Sequence, residues 1–193
     1  LKCVSSKSGN TFLIVDMPFS TFQENPEKTF SHAAKLMDSG AQMVKLEGGA
    51  WLLETVEFLT TRGVPVCTHL GMLPQSIHKI GCYRKFGSSE QEKELLVKTA
   101  TSLENAGSEL LILELVNSIT SKQITEVLKI PTVGIGSGKF VDGQVLVLYD
   151  ILGIGNKLSF TKDFLSESNS IEECVKNYIP VSYTHLTLPT ISV

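Results

Sequence analysis

Asp16, Glu47, His69 and Glu114 each close an apolar run: Phe-Leu-Ile-Val-Asp, Met-Val-Lys-Leu-Glu, Val-Pro-Val-Cys-Thr-His and Glu-Leu-Leu-Ile-Leu-Glu. Carboxylates and an imidazole bind metal or move protons, and their placement at the ends of successive buried strands is not something packing alone requires. Asp16 and Glu47 are hard oxygen donors suited to Mg²⁺, which keeps several waters and takes one or two protein carboxylates. Zinc is disfavoured, because no paired His or Cys residues stand at zinc spacing. Lys45 precedes Glu47 by two residues, so along a strand it points to the same face. A lysine there is costly unless it meets an anion, which is either a substrate carboxylate or a structural partner such as Glu47 or Asp16. Each residue also has a purely structural role open to it: Asp16 as a turn or helix-cap residue, His69 as a satisfied core imidazole, Glu114 as a paired buried carboxylate.

Elements that could position these residues alternate between apolar runs and helical patterns, the signature of βα units around a parallel sheet. Strands are expected at residues 11–15, 43–46, 64–67, 110–113, 132–135 and 144–149. Helices are expected from Pro26 to a stop at Gly40, from Trp51 to before Gly63, and at residues 90–106, 119–128 and 171–178. The stretch from His69 to Ser89 is the longest without a regular pattern and is a candidate lid. In a parallel α/β barrel the C-terminal strand ends open onto one face, where residues distant in sequence converge on a pocket.

The fold class expected is therefore α/β, a (βα)8 TIM barrel with about six of its βα units present and its N-terminal part missing. Residues 1–180 are read as this partial catalytic barrel. The first residues carry no methionine and no signal-peptide profile. Residues 181–193, beginning Val-Ser-Tyr-Thr-His-Leu-Thr-Leu-Pro-Thr, resemble the translation of a sequencing adapter and are read as a non-native tail that takes His185 with it.

With 193 residues, 42% hydrophobic and 19% charged, the composition is that of one globular domain with a sizeable core. A formal net charge of -3 and the lack of a basic cluster with interleaved aromatics argue against nucleic acid as a partner. No apolar run reaches the roughly 18 residues of a membrane span, and the four cysteines show no C-x-x-C spacing, so a reduced, cytoplasmic setting is expected. Cys67 reads as an inert core thiol and Trp51 as helix packing. Val133-Gly-Ile-Gly-Ser-Gly-Lys139 fails the phosphate-loop spacing, with Val133 in place of the first glycine and Phe140 in place of Ser/Thr. Ser137 is not in a nucleophile elbow.

Taken together, these words resemble the ketopantoate hydroxymethyltransferase family. They are Asp-Met-Pro-Phe at 16–19, Met-Val-Lys-Leu-Glu-Gly-Gly at 43–49, Val-Pro-Val-Cys-Thr-His-Leu-Gly at 64–71 with Pro74-Gln-Ser76, Leu-Leu-Ile-Leu-Glu at 110–114, Ile-Pro-Thr-Val-Gly-Ile-Gly-Ser-Gly at 130–138 and Asp142-Gly-Gln-Val-Leu-Val147. The resemblance implies a barrel of the phosphoenolpyruvate/pyruvate type, with strands 3 to 8 present. It implies hydroxymethyl transfer from 5,10-methylenetetrahydrofolate to 3-methyl-2-oxobutanoate, with Mg²⁺, in pantothenate and coenzyme A synthesis, by a homo-oligomer. It further implies Asp16 and Glu47 as metal ligands, Asp16, Lys45 and His69 as substrate-binding residues, and Glu114 as the catalytic base. Departures are Thr68 where glycine is usual before the histidine, and Leu115 and Asn117 in place of Cys and Pro. The family's Gly-Asp-Ser segment, with a further metal-site aspartate, would lie upstream of Leu1. Competing expectations are another Mg²⁺-dependent enolate lyase or aldolase, which would need a reactive cysteine loop, and a non-catalytic barrel fragment.

Overall fold

The structure is a computed structural model that describes residues 1–155 and 158–184. After a short helix α1 (Lys2–Ser5), the chain runs through β1 (Ile14–Asp16), α2 (Pro26–Asp38), β2 (Met43–Glu47), α3 (Leu53–Thr60), β3 (Val66–Gly71) and α4 (Ile77–Ile80). It continues with α5 (Glu90–Asn105), β4 (Leu110–Glu114), α6 (Ser118–Val127), β5 (Thr132–Ile135), β6 (Gly143–Gln144), α7 (Leu148–Ile151) and α8 (Ile171–Thr184). Helix starts follow local chemistry. Asn25 accepts from the Lys28 amide with Pro26 in the first turn, Ser89 accepts from the Glu92 amide, and Asn117 accepts from the Ile119 amide.

All five strand pairs are parallel, and the spatial order is the chain order, β1 to β6. A parallel sheet that never reverses direction carries its crossover helices on one side, because each crossover takes the same hand. The result is an arc of helix-backed strands, a half-barrel. The helix-facing side of the sheet is apolar: Val44, Leu46, Val66, Leu111 and Leu113 pack into one core with Val56 and Leu59 of α3, Ala100 and Leu103 of α5 and Ile124 of α6. Burying such side chains supplies the main force holding the arc, each worth about 1.5–3 kcal/mol. A second, smaller core of Ile151, Leu152, Phe164 and Cys174 ties α7 to α8.

The expected sixth strand at residues 144–149 is much shorter. Val145 still donates its amide to Gly134 O at 3.0 Å, but the chain then turns at Val147 into α7. Val147, Leu148 and Tyr149 are exposed there, since no further described strand stands beside β6 to cover them. The His69 to Ser89 stretch is also more ordered than expected. β3 continues to Gly71, a 3₁₀ turn spans Pro74–Ser76, α4 follows, and Phe86 bridges to Val116. Helix α8 runs on to Thr184, past residue 180, and residues 185–193 of the expected tail lie outside the described residues. Trp51, expected as helix packing, is 55% exposed and stacks on the buried Phe22 ring at 6.2 Å. Cys67 is fully buried, and that burial pushes its thiol up to about 12, so it is inert as expected. Among the described residues, no helix is long and apolar enough to cross a membrane.

Candidate active site

Strand register determines which side chains meet. Asp16 pairs with Lys45, Glu47 with His69, and His69 with Ile112, two residues before Glu114. Because strand side chains alternate with a period of two, Asp16, Lys45, Glu47, His69 and Glu114 all fall on one face. The intervening residues Val44, Leu46 and Leu113 belong to the helix-side core, so this face is the inner side of the arc. The expected convergence is observed for all five residues.

Lys45 is the hub. Its ammonium lies 2.7 Å from Asp16 Oδ1, 3.6 Å from Glu47 Oε1 and 3.5 Å from His69 Nδ1, with its side chain 11% exposed. Asp16 is well exposed, so water screens much of that pair, whereas Glu47 and His69 are buried and their contacts are stronger per charge. The same His69 Nδ1 also lies 3.7 Å from Glu47 Oε1, so the ring edge stands against both members of the Lys45–Glu47 pair. Nε2 faces Glu114 Oε2 at 3.4 Å, though at a geometry short of a formed hydrogen bond. The imidazole thus connects the Lys45–Glu47 cluster to Glu114.

Glu47 feels two opposing effects. Burial alone pushes its carboxyl pKa up. His69, the Gln75 amide and the Lys45 ammonium together outweigh burial, and the net pKa is lowered from the ordinary glutamate value. Glu47 therefore stands as a carboxylate at neutral pH. Gln75 was not singled out by sequence reasoning, although its Pro74-Gln-Ser76 word was visible. Its backbone N–H donates to Glu47 Oε2 at 3.0 Å and its side-chain amide donates to Met17 O at 3.0 Å. The front of the expected lid is thereby pinned onto the site.

A Cβ on Gly48 would come within 2.7 Å of Trp51 and Leu52, so that glycine makes room for the chain's own turn. A closer backbone approach occurs at Gly71, whose φ is 96° and whose Cβ would meet Glu114 O at 2.2 Å.

Glu114 sits at the end of β4, and its side chain is 14% exposed. Leu115, directly after it, has a left-handed φ of 50°, which costs energy in a non-glycine residue and turns the chain sharply. Three bonds hold that turn: Leu115 N to Ile135 O at 2.9 Å, Phe86 N to Leu115 O at 2.8 Å, and Val116 N to Ser137 Oγ at 3.0 Å. Ser137 also donates to Leu113 O at 2.6 Å, so this buried serine of the glycine-rich loop braces the strand that carries Glu114. Nothing in the sequence distinguished that role. Glu114 lines a cavity of about 280 Å³, together with Tyr83, Leu115 and Phe160.

Among the described residues, no group of three or more His, Cys, Asp and Glu side chains is spaced to hold a metal ion. The two carboxylates expected as donors, Asp16 and Glu47, both contact the Lys45 ammonium, at 2.7 and 3.6 Å. Two carboxylates with water completing the shell fit Mg²⁺ and do not fit zinc.

A profile of the family described as ketopantoate hydroxymethyltransferase matches residues 1–184. The 3-methyl-2-oxobutanoate hydroxymethyltransferase of Nitrosospira multiformis is 51% identical over 178 residues, covering 91% of this chain and 68% of the relative. Its counterpart in Idiomarina loihiensis is 48% identical over 179 residues, covering 92% of this chain and 67% of the relative. That of Nitrosomonas europaea is 44% identical over 181 residues, covering 93% and 67%. This chain therefore spans about two-thirds of the length of these relatives. Identity at this level across nearly the whole chain, and a profile match from the first residue through α8, establish that the chain belongs to the ketopantoate hydroxymethyltransferase family.

Proposed function

We propose that this chain carries the catalytic face of an enzyme that transfers a hydroxymethyl group from 5,10-methylenetetrahydrofolate to 3-methyl-2-oxobutanoate, giving ketopantoate for pantothenate synthesis. The observation that carries it is the convergence of Lys45, Glu47, His69 and Glu114 on one inner face, with Glu114 opening into a cavity. We place the six strands as strands 3 to 8 of an eight-stranded barrel of the phosphoenolpyruvate/pyruvate type, working in the cytoplasm as a homo-oligomer. Residues from 181 onward we assign to a tail without catalytic function.

Asp16 and Glu47 would hold Mg²⁺, which when bound would draw electron density from the 2-oxo acid and acidify its C3–H. Lys45 binds the substrate oxygens by charge, and Asp16 and Glu47 keep its ammonium fixed in direction. Glu114 accepts the C3 proton as the C–H electron pair becomes the nucleophile. A new C–C bond then forms to the methylene carbon of the folate as one of its two C–N bonds breaks. Water adds its hydroxyl to that carbon as the second C–N bond breaks, both electron pairs going to nitrogen, which takes up the protons released by Glu114 and water. His69 steadies the Glu114 carboxylate through Nε2 and takes part in substrate binding through the same cluster. Tyr83 and Phe160 line the cavity into which Glu114 opens.

An assay supplies the chain with 3-methyl-2-oxobutanoate, methylenetetrahydrofolate and Mg²⁺ and follows ketopantoate by mass spectrometry. Folate-dependent ketopantoate is the expected product. Cleavage of the oxo acid, or ketopantoate formed without folate, would instead favour a lyase or aldolase.

A further inference from the structure

The chain that follows β3 ties the ends of β1, β2 and β4 together. Met72 donates its backbone N–H to Glu114 O at 2.8 Å, at the end of β4. Gln75 donates its own to Glu47 Oε2 at 3.0 Å, at the end of β2. The Gln75 side chain reaches one strand further and donates through Nε2 to Met17 O at 3.0 Å, in the residue that leaves β1 directly after Asp16. Met17 is in turn held to β2, its N–H donating to Lys45 O at 2.9 Å. The two oxygens of Glu47 therefore have different partners: Oε1 faces Lys45 at 3.6 Å and His69 at 3.7 Å, and Oε2 takes the Gln75 bond. Contacts on both oxygens fix the plane of the carboxylate. Because Met17 O only accepts, the nitrogen of the Gln75 amide faces it, and the buried Oε1 has no partner among the described residues. Such an amide is a poor choice for packing, since methionine fills similar space without an unmet acceptor. What the glutamine adds is the donor that reaches Met17 while its backbone serves Glu47.

We propose that Gln75 is a positioning residue for the oxo-acid site: it sets the plane of Glu47 and the course of the chain leaving Asp16, and so governs substrate binding and not proton removal. Such a role depends on the reading that Asp16, Lys45 and Glu47 hold the oxo acid with its cation. Binding groups work when neighbours lock them to within about 0.5 Å of the productive geometry. Glu114 is held separately, through the turn at Leu115 and through Ser137, so loss of the Gln75 side chain leaves the base in place.

The test is C3 deuterium incorporation at varied 3-methyl-2-oxobutanoate with Mg²⁺, beside calorimetric titration of the same acid, on wild type, Gln75→Met and Ser76→Ala. Gln75→Met is expected to raise KM and Kd for the oxo acid about three- to tenfold, the range one neutral hydrogen bond commands, while kcat for exchange changes by less than about twofold. Its thermal midpoint should stay near wild type, because the bond lost at Met17 O is offset by removal of the unmet Oε1. Ser76→Ala, in the same 3₁₀ turn and without a cap bond from its side chain, should match wild type throughout. Unchanged KM and Kd, a fall in kcat at constant KM, or a loss of affinity that tracks a lower thermal midpoint would each overturn the role. Should Gln75→Met not fold, Gln75→Glu keeps the length, turns an acceptor toward Met17 O and carries the same expectation; failure of both to fold would make Gln75 a structural residue. Weaker binding in Gln75→Met, with no exchange even in wild type, removes Glu114 as base and leaves the role of Gln75 standing. No binding of the oxo acid by wild type removes the oxo-acid site and the role with it.

Discussion

Replacing Glu114 by Gln should lower C3 proton exchange of 3-methyl-2-oxobutanoate by roughly 10²- to 10⁴-fold, the contribution general-base catalysis makes. Glutamine keeps the volume and the contact with His69 Nε2 but cannot accept the proton. The fold should be unaffected, because the left-handed turn at Leu115 is held by backbone bonds and by Ser137 and does not use the Glu114 side chain. Substrate affinity should also change little, since Lys45, Asp16 and Glu47 are untouched. The check is deuterium incorporation followed by proton NMR, with thermal unfolding measured alongside. Loss of stability in step with loss of exchange would mean that Glu114 is a structural carboxylate.

His69→Leu should cost about 2–3 kcal/mol of stability, because it leaves buried Glu47 without its strongest stabilising neighbour. Leucine fills similar space, so the loss is electrostatic and not that of a cavity. The acid limb should move as well. Glu47 has a lowered folded pKa, so its contribution is fully present above the ordinary glutamate value and disappears as pH falls through the lower folded value. Without His69 the burial effect dominates and the folded pKa moves up, so unfolding on acidification should start at a higher pH. Urea midpoints measured between pH 7 and about pH 4 read this shift. Unchanged midpoints across that range would contradict the His69–Glu47 coupling.

Local chemistry made the first five strands and their terminal residues legible. The run Leu110–Leu113 is continuously apolar, as a strand covered on both sides must be, and in Met43–Glu47 that character is interrupted by Lys45 and Glu47. Their period of two placed Lys45 and Glu47 on one face, and the structure adds Asp16, His69 and Glu114 to it. What the sequence could not show depends on tertiary partners. Val145, Val147 and Tyr149 have strand propensity, yet only Val145 is bonded to β5, and beyond it the chain turns into α7. Gln75 and Ser137 act through bonds to residues 28 and 24 positions away, which no local spacing encodes. The cavity beside Glu114 likewise joins the end of β4 to segments after residue 157.

Among the described residues the sheet does not close, so β1 and β6 each present one unpaired side. Phe12 and Ile14 near the first edge and Val145 and Val147 near the second are exposed. Apolar edges of this kind favour pairing with further strands, and the relatives are about half as long again as the matched segment.

The most direct measurement is deuterium incorporation at C3 of 3-methyl-2-oxobutanoate in D₂O, with Mg²⁺ present and folate omitted. It isolates proton removal from every later step. Incorporation that depends on the wild-type chain and is lost in Glu114→Gln, with folding intact, is the result predicted for a general base at the end of β4. Incorporation at the same rate in Glu114→Gln, or none with a folded wild-type chain, would contradict Glu114 as the base.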